Sequence, residues 1–231
     1  MTRVIAHRGY SAKYPEMSRE AYINAIPVSD GFECDLHLTK DHQLVCWHDD
    51  TMQRTSDMTG EVCELTWAEM SKAHPQPILF TEFMEIAIGA NKDVLIETKH
   101  PNKFKGLLER KLAEELERLN PKINMSFMSF SPSAVWRMRN FPGRKVQLVE
   151  RRINYIPKFH ADVVAPFWEL VDESWVELCR KRGQQMYVWT VNDPEVAKRL
   201  ANWGVDTLIT DNPELIRKSI AGLAWFMLVA T

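Results

Sequence analysis

The sequence lacks the composition that marks nucleic-acid-binding proteins. Its 231 residues carry 29 Lys and Arg against 31 Asp and Glu, a formal net charge of −2, and the pI is about 6.4. Without an overall basic field, we predict no nucleic-acid partner, and an anionic substrate would need local cations. The chain also lacks a linker, a repeat or a low-complexity segment, so we predict one domain over residues 1–231.

Cysteine is scarce as well. The four thiols, Cys34, Cys46, Cys63 and Cys179, contain no CxxC spacing, which argues against a zinc site or a disulfide framework. No signal peptide follows Met1, so we expect a cytoplasmic protein with reduced thiols. A bridge between Cys34 and Cys46 remains the alternative, because both lie in the same predicted hairpin.

Long hydrophobic runs are also absent. The apolar stretch over residues 221–231 is well short of the ~20 residues that span a bilayer, and we predict no transmembrane segment. We expect this stretch to end a last helix that packs on the protein or on a partner. Contact with a membrane surface is the alternative, and a homodimer is left open.

Eight short runs rich in β-branched and apolar residues alternate with helix-like stretches. This alternation predicts a (β/α)8 barrel, an α/β fold, with an open doubly wound sheet as the alternative. The predicted strands cover residues 3–7, 31–38, 92–99, 124–130, 145–150, 161–166, 185–191 and 205–210.

Helix signals fall between these runs. The clearest helix is predicted over residues 103–119, where leucines recur at i, i+4 spacing. Others are predicted over residues 174–182 and 194–203. The last of these follows Asp193 as N-cap and begins with Pro194, a strong start signal.

One connection departs from the barrel pattern. Only five residues separate the second predicted strand from the next apolar run, too few for a parallel crossover. We therefore predict an antiparallel β-hairpin after strand 2. With its turn centred on Asp41 and His42, His48 would lie opposite Asp35. A short irregular insertion over residues 50–80 follows, and then a helix near residues 81–89.

Two histidines and three carboxylates lie in or just after these runs: His7, Glu33, Asp35, His48 and Glu97. Active sites of (β/α)8 barrels lie at the C-terminal strand ends, so we expect these side chains to converge. Glu33 and Asp35 project to one face, as residues i and i+2 of a strand do. Together the five residues suit acid–base hydrolysis assisted by a hard divalent cation.

Further side chains fall at or near strand ends: Lys99, Phe130, Glu150, Trp189 and Asp211. Lys99 either pairs with a carboxylate or takes part in the site directly. Phe130 and Trp189 either pack in the barrel or line the substrate site. The remaining histidines are expected to be bystanders: His37, His42, His74, His100 and His160.

An ordered series of motifs covers nearly the whole chain and resembles the glycerophosphodiester phosphodiesterase family. The chain departs from the family at Met17-Ser18, where the family has Asn-Thr, and methionine cannot make the hydrogen bonds of an amide. The matching motifs are His7-Arg8-Gly9, Pro15-Glu16, Glu33-x-Asp35, Thr39-Lys40-Asp41, His48-Asp49, Arg54-Thr55, Gly60, Glu97-x-Lys99, Trp189-Thr190-Val191-Asn192 and Thr210-Asp211-Asn212-Pro213.

The resemblance implies a TIM barrel that binds Mg²⁺ or Ca²⁺ and cleaves glycerophosphodiesters to sn-glycerol 3-phosphate and an alcohol. In this family the glycerol 2-hydroxyl is the expected nucleophile, and water opens the resulting cyclic phosphate. There are two alternatives. One is a phospholipase-D-like enzyme acting on lysophospholipids or sphingolipids, and the other is a catalytically silent binding barrel. The implied roles are metal binding by Glu33, Asp35 and Glu97, acid–base catalysis by His7 and His48, and phosphate contact by Arg8 and Lys99.

Overall fold

The computed structural model describes residues 1–151 and 161–222, and these contain ten β-strands and eight α-helices. The strands are β1 (Arg3–Ala6), β2 (Gly31–Leu38), β3 (Leu44–Cys46), β4 (Ile78–Leu79), β5 (Asp93–Thr98), β6 (Met125–Ser129), β7 (Arg144–Val149), β8 (Val163–Pro166), β9 (Gln185–Val188) and β10 (Thr207–Thr210). The helices are α1 (Arg19–Ala25), α2 (Trp67–Met70), α3 (Phe80–Gly89), α4 (Leu107–Leu119), α5 (Pro132–Arg137), α6 (Glu173–Lys181), α7 (Pro194–Asn202) and α8 (Pro213–Ile220).

Eight parallel strands form a closed barrel. Their order is β1-β10-β9-β8-β7-β6-β5-β2, and pairing of β1 with β2 closes the ring. The predicted TIM barrel is therefore confirmed and the open sheet is excluded. All eight predicted barrel strands are present, with ends that differ from the prediction by at most three residues.

The barrel interior is filled by alternate residues of the strands. Leu95 on β5 belongs to an interior cluster with Ile5, Met128 and Val146. Glu97, two residues after Leu95, projects to the same side and so lies in the barrel mouth. Two larger apolar clusters pack the outer faces of the strands against the helices. The fold thus places polar side chains above an apolar interior cluster.

The β2–β3 hairpin is antiparallel as predicted, but its register differs by one residue. Its pairs include Leu36 with Cys46 and Leu38 with Leu44, so the turn is centred on Asp41 alone. The five-residue loop is closed when the Thr39 hydroxyl accepts from the Gln43 backbone N–H at 2.9 Å. The prediction that His48 lies opposite Asp35 is therefore wrong. The backbone N–H of Trp47 occupies that position and donates to the Asp35 carbonyl at 3.0 Å.

The insertion after β3 is more regular than predicted. It contains an isolated bridge between Thr51 and Glu61, a 3₁₀ helix, α2 and β4. Thr66 and Glu69 cap α2 reciprocally, so this short helix has a recognisable start signal. A small apolar cluster stabilises the insertion from within; it comprises Val45, Trp47, Met52, Val62, Met70 and Ala73.

The helix signals were largely correct. Asp193 caps α7 by accepting from two backbone N–H groups, and Pro194 begins the helix. Helix α4, however, begins at Leu107 rather than at residue 103. The Asn102 side chain accepts from the backbone N–H of Phe104, and Lys105 has a φ of 53°. This local turn competes with the first predicted helical residues.

Three further expectations concern the cysteines, a membrane span and the end of the chain. All four cysteines are free thiols, so Cys34 and Cys46 form no bridge. Within residues 1–151 and 161–222, every helix is too short or too polar to cross a bilayer. His160 and residues 223–231 of the apolar stretch lie outside this part of the chain. The assignment of one domain to residues 1–231 stays a prediction.

Replacing Gly31 with alanine should destabilise the barrel. A Cβ atom at Gly31 would lie 2.3 Å from the backbone oxygen of Asp93 on the neighbouring strand β5, so the strands would have to separate. We expect Gly31→Ala to lower the free energy of unfolding by about 1–3 kcal/mol, measured by urea denaturation. Gly89→Ala is the control, because that Cβ would meet no atom within 4 Å. Equal stability of the two variants would contradict this account.

Candidate active site

Three buried carboxylates lie together in the barrel mouth. Glu33 and Asp35 project from β2, and the β2–β5 register pairs Asp35 with Glu97. One carboxylate oxygen from each of the three side chains lies within 4.8 Å of the others. The three side chains converge as expected, and hard oxygen donors of this kind could hold a divalent cation.

Their electrostatics favour a bound cation. Burial and the neighbouring Asp35 raise the pKa of Glu97 to about 8. Burial and Asp35 likewise raise the pKa of Glu33 well above its usual range. Burial opposes ionisation of Asp35 too, but Lys99 and Arg8 hold its pKa well below the usual range. Full ionisation of all three groups therefore requires further positive charge, which a divalent ion would supply.

Arg8 and Lys99 supply the positive charge already present. The Lys99 ammonium lies 3.3 Å from Asp35 Oδ1 and 3.2 Å from Glu97 Oε1. Arg8 Nε lies 3.2 Å from Asp35 Oδ2, but neither of these two buried atoms makes a hydrogen bond. Asp35 thus offers a buried oxygen without a hydrogen-bond donor, which fits the donor set of a metal site.

His7 is oriented by a carboxylate on the neighbouring strand. It follows β1, and Asp211 follows β10, so the β1–β10 ladder brings them together. His7 Nδ1 lies 2.7 Å from Asp211 Oδ1, and Ser11 and Asn192 also donate to the Asp211 carboxylate. Although burial opposes it, the hydrogen bond with His7 helps to lower the pKa of Asp211 to about 2. An ionised Asp211 accepts from Nδ1–H and leaves Nε2 of His7 free.

His48, which follows β3, has an equivalent contact with a carboxylate. Its Nδ1 lies 2.6 Å from Asp49 Oδ1. Arg54 donates to both oxygens of Asp49 at 2.5 and 3.0 Å. Hydrogen bonds from Arg54 and then His48 lower the pKa of Asp49 to about 2. Burial and nearby cations lower the pKa of His48 and so favour a neutral imidazole. The Nδ1 contact with the ionised Asp49 leaves Nε2 of that ring free.

His37 has a role that the sequence did not reveal. It is buried, and its Nε2 lies 3.1 Å from the backbone oxygen of His48. The expectation that His37 is a bystander therefore misses a contact that holds the His48 backbone. His100 is not isolated either, because its Nε2 lies 2.6 Å from Glu109 Oε1. His42 and His74 are exposed, as expected of residues outside the site.

Aromatic side chains occupy the other half of the barrel mouth. Trp189, after β9, packs partly on the interior cluster, and its indole N–H donates to the Ala165 carbonyl at 2.8 Å. The ring of Phe130, after β6, meets Trp189 at 5.5 Å between centroids, and Phe167 meets it at 5.4 Å. Trp189 thus has both a packing contact and a position beside the site. Phe167 was not identified from sequence.

The Met17-Ser18 departure is accommodated locally. Met17 is buried, has a φ of 53° and donates from its backbone N–H to the Arg8 carbonyl. This left-handed conformation favours glycine and asparagine, so methionine here is strained. Ser18 caps helix α1 by accepting from the Ala21 backbone N–H. The loop that follows His7 therefore keeps a side-chain helix cap.

Residues 7–215 match the sequence model of the glycerophosphoryl diester phosphodiesterase family. The chain belongs to this family. It is therefore a phosphoric diester hydrolase, as predicted. A glycerophosphodiester phosphodiesterase of Caldanaerobacter subterraneus subsp. tengcongensis is 31% identical over 243 residues, covering 94% of this chain and 98% of the relative. One from Bacillus subtilis (strain 168) is 28% identical over 251 residues, covering 93% and 85%.

Solved structures of family members share the fold. A glycerophosphodiester phosphodiesterase from Thermotoga maritima superposes with a TM-score of 0.79 at 27% identity, covering 94% of this chain and 98% of that protein. An Oleispira antarctica phosphodiesterase, solved in complex with the product sn-glycerol-3-phosphate, gives a TM-score of 0.89 at 22% identity, covering 96% and 98%. The barrel described above is thus the fold of this family.

Replacing Asp211 with asparagine should reduce stability in a pH-dependent way. A carboxylate whose pKa falls from 3.8 to about 2 on folding stabilises the protein above the unfolded value and loses this effect as the pH falls through the folded one. The difference in unfolding free energy between wild type and Asp211→Asn should therefore be larger at pH 5 than at pH 3. Urea denaturation at both pH values measures it, and a difference that does not shrink would contradict the assignment.

Proposed function

We propose that the protein hydrolyses glycerophosphodiesters to sn-glycerol 3-phosphate and an alcohol with the help of a divalent cation. The observation that carries this proposal is the convergence of three buried carboxylates in one barrel mouth with two histidines, His7 and His48, each held by an aspartate through Nδ1. The 31% identical relative is a glycerophosphodiester phosphodiesterase, which supports the same reaction for this chain.

Glu33, Asp35 and Glu97 would hold the cation. Their donor atoms are hard carboxylate oxygens, which suit Mg²⁺ or Ca²⁺. When bound, such an ion supplies positive charge that neutralises the phosphodiester and stabilises its developing negative charge. Arg8 offers a planar guanidinium to a phosphate oxygen, and Lys99 offers a point charge to another.

His7 and His48 would move the protons. Each ring donates from Nδ1 to an ionised aspartate, so each presents Nε2 for proton transfer. One histidine takes the proton from the attacking hydroxyl, and the other gives a proton to the leaving alkoxide. We take the glycerol 2-hydroxyl as nucleophile, so that a cyclic phosphate forms first and water then opens it. Trp189 and Phe130 would line the glycerol beside these groups.

The proposal also includes the cellular compartment of the protein and the identity of its cation. The free thiols of Cys34 and Cys46, both buried, support a protein of a reducing compartment, and we propose the cytoplasm. The carboxylate set supports both Mg²⁺ and Ca²⁺.

Product analysis tests this function directly. Purified protein is incubated with glycerophosphodiesters of choline, ethanolamine and glycerol, and with lysophospholipids and sphingolipids, each with Mg²⁺, with Ca²⁺ or after exhaustive chelation. Metal-dependent release of sn-glycerol 3-phosphate from water-soluble diesters supports the proposal. Turnover of lysolipids alone would favour the phospholipase-D-like alternative, and no turnover with any metal would favour a silent barrel.

Replacing Glu97 with glutamine should weaken metal binding. The substitution keeps the shape of the side chain but removes a charged oxygen ligand. We expect the affinity for Mg²⁺ to fall by at least about 10- to 100-fold, because loss of even an outer partner of a metal site has an effect of this size. Calorimetric titration measures this affinity. Glu114→Gln, at an exposed residue paired with Lys111 on α4, is the matched control. Wild-type affinity in Glu97→Gln would exclude Glu97 as a ligand.

Removing either histidine should impair the chemical step. His7→Ala and His48→Ala should each lower kcat by on the order of 10²–10⁴, the usual effect of a positioned acid or base. Metal affinity should be retained, because neither ring is a proposed ligand. The double variant should lose much less than the product of the two effects if the pair acts as a unit. His42→Ala, at an exposed histidine, is the control, and near-normal kcat in a site variant would remove that residue from the mechanism.

The glycerol 2-hydroxyl should be essential to turnover. An intramolecular nucleophile has a high effective concentration, so a diester lacking this hydroxyl should bind as an inhibitor without being cleaved. Diesters of choline, ethanolamine and glycerol should differ only modestly in kcat/KM. Trp189→Ala should weaken glycerol binding more than it changes head-group preference. Efficient hydrolysis of the 2-deoxy analogue would instead indicate direct attack by water.

A further inference from the structure

An ionic network surrounds His48 beyond its aspartate. The Arg54 guanidinium binds two carboxylates at once. It donates to Asp49 from Nε and Nη2, and to Glu16 from Nη2 at 2.6 Å and from Nη1 at 3.2 Å. Glu16 lies in the loop between β1 and α1. A single side chain of the insertion therefore bridges the His48 aspartate and the first loop of the barrel.

Glu16 extends the network to the phosphate side of the site. Its two oxygens accept from Arg8 Nη1 at 3.2 and 3.4 Å. Arg8 in turn lies beside Asp35. Beside His48, charges of alternating sign thus run from Asp49 through Arg54, Glu16 and Arg8 to Asp35. The network joins a proposed proton-transfer group to a proposed phosphate contact.

The insertion holds Arg54 in place. The neighbouring Met52 is fully buried in the insertion's own apolar cluster. The turn around Arg54 is closed by a hydrogen bond from the Ser56 N–H to the Met52 carbonyl, and the Met52 N–H donates to the Gly60 carbonyl. About half of the Arg54 side chain is exposed, and its hydrogen bonds to Asp49 and Glu16 connect it to the site.

We propose that Arg54 is a positioning residue, which acts through Asp49 to hold His48 in its Nδ1–H form, and that Glu16 couples this arrangement to Arg8. A planar guanidinium presents donors in a rigid fork and restrains a carboxylate at two points. An aspartate held in this way cannot rotate away from the imidazole. The insertion after β3 therefore serves the reaction through Arg54. The kinetic part of this inference rests on the proposed function.

A spectroscopic test needs no substrate. In ¹⁵N–¹H spectra of the Mg²⁺-saturated protein, neutral His48 should be in the Nδ1–H tautomer, with its signals assigned by their loss in His48→Ala. In Arg54→Ala the Nε2–H tautomer should become populated. Arg19→Ala is the matched control, because Arg19 is exposed and forms a comparable ion pair with Glu82 outside this network. An unchanged His48 tautomer in folded Arg54→Ala would overturn the inference.

Kinetics give a second readout. Loss of Arg54 should lower kcat by about 10- to 100-fold, as loss of an outer partner of a site residue typically does, with little change in KM. Burial lowers the pKa of His48, and that pKa also depends on nearby charges and on the hydrogen bond with Asp49, so loss of Arg54 should shift the limb of the pH–rate profile that reports His48. This holds whether His48 is base or acid. Free guanidinium should partly restore kcat in Arg54→Ala. The Arg54→Lys variant should keep only part of the wild-type kcat, because an ammonium lacks the fork.

The outcomes separate the two proposals. An inactive wild type with the expected tautomer change would refute the proposed function and leave the positioning role supported. An active wild type whose Arg54→Ala variant keeps its kcat and pH profile would refute the positioning role alone. A fall in kcat with an unchanged pH profile and no rescue by guanidinium would show that Arg54 is merely structural, and this would also overturn the inference.

Discussion

Repulsion among three buried carboxylates is the constraint on which the rest of this active site depends. Glu33, Asp35 and Glu97 are each less than 8% exposed, and burial of ionised groups this close is costly unless cations compensate. Arg8 and Lys99 provide part of that compensation. A divalent ion would provide the remainder, so metal binding and the ionisation of this cluster are linked. The parallel register of β2 and β5 makes the cluster unavoidable, because it pairs Asp35 with Glu97.

Barrel closure explains the position of the first histidine, and the insertion explains the position of the second. His7 and Asp211 directly follow the last paired residues of β1 and β10, Ala6 and Thr210. They meet only because the first and last strands of the barrel are neighbours. His48, by contrast, follows β3, outside the parallel ring. Asp49 contacts its ring and His37 contacts its backbone. The barrel strands therefore position His7, whereas the segment after β3 positions His48.

The sequence predicted the barrel and the convergence of its carboxylates because both follow from short-range patterns. Strand-like runs alternating with helical stretches indicate the fold, and a two-residue spacing puts Glu33 and Asp35 on one face. The predicted hairpin register was wrong by one residue. The register depends on whether the turn is centred on one residue or between two. Thr39 and Gln43 decide this through a hydrogen bond that no periodicity encodes.

Ion-pair partners far apart in the chain were the least accessible to sequence reasoning. Arg54 and Glu16 are 38 residues apart, and only the folded insertion brings them into contact. The same holds for His37, whose contact with the His48 backbone depends on the path that the chain takes after β3. Residue type and strand position were sufficient to identify chemical groups at the barrel mouth. They were not sufficient to identify the side chains that orient them.

Anomalous diffraction from crystals grown with Mn²⁺ would test the central claim most directly, because it locates the ion without relying on activity. The account predicts a peak among the carboxylates, in contact with oxygens of Glu33, Asp35 and Glu97. A peak elsewhere in the barrel mouth would contradict it. The account would also be contradicted if, at saturating Mn²⁺, these three carboxylates were paired with Arg8 and Lys99 alone.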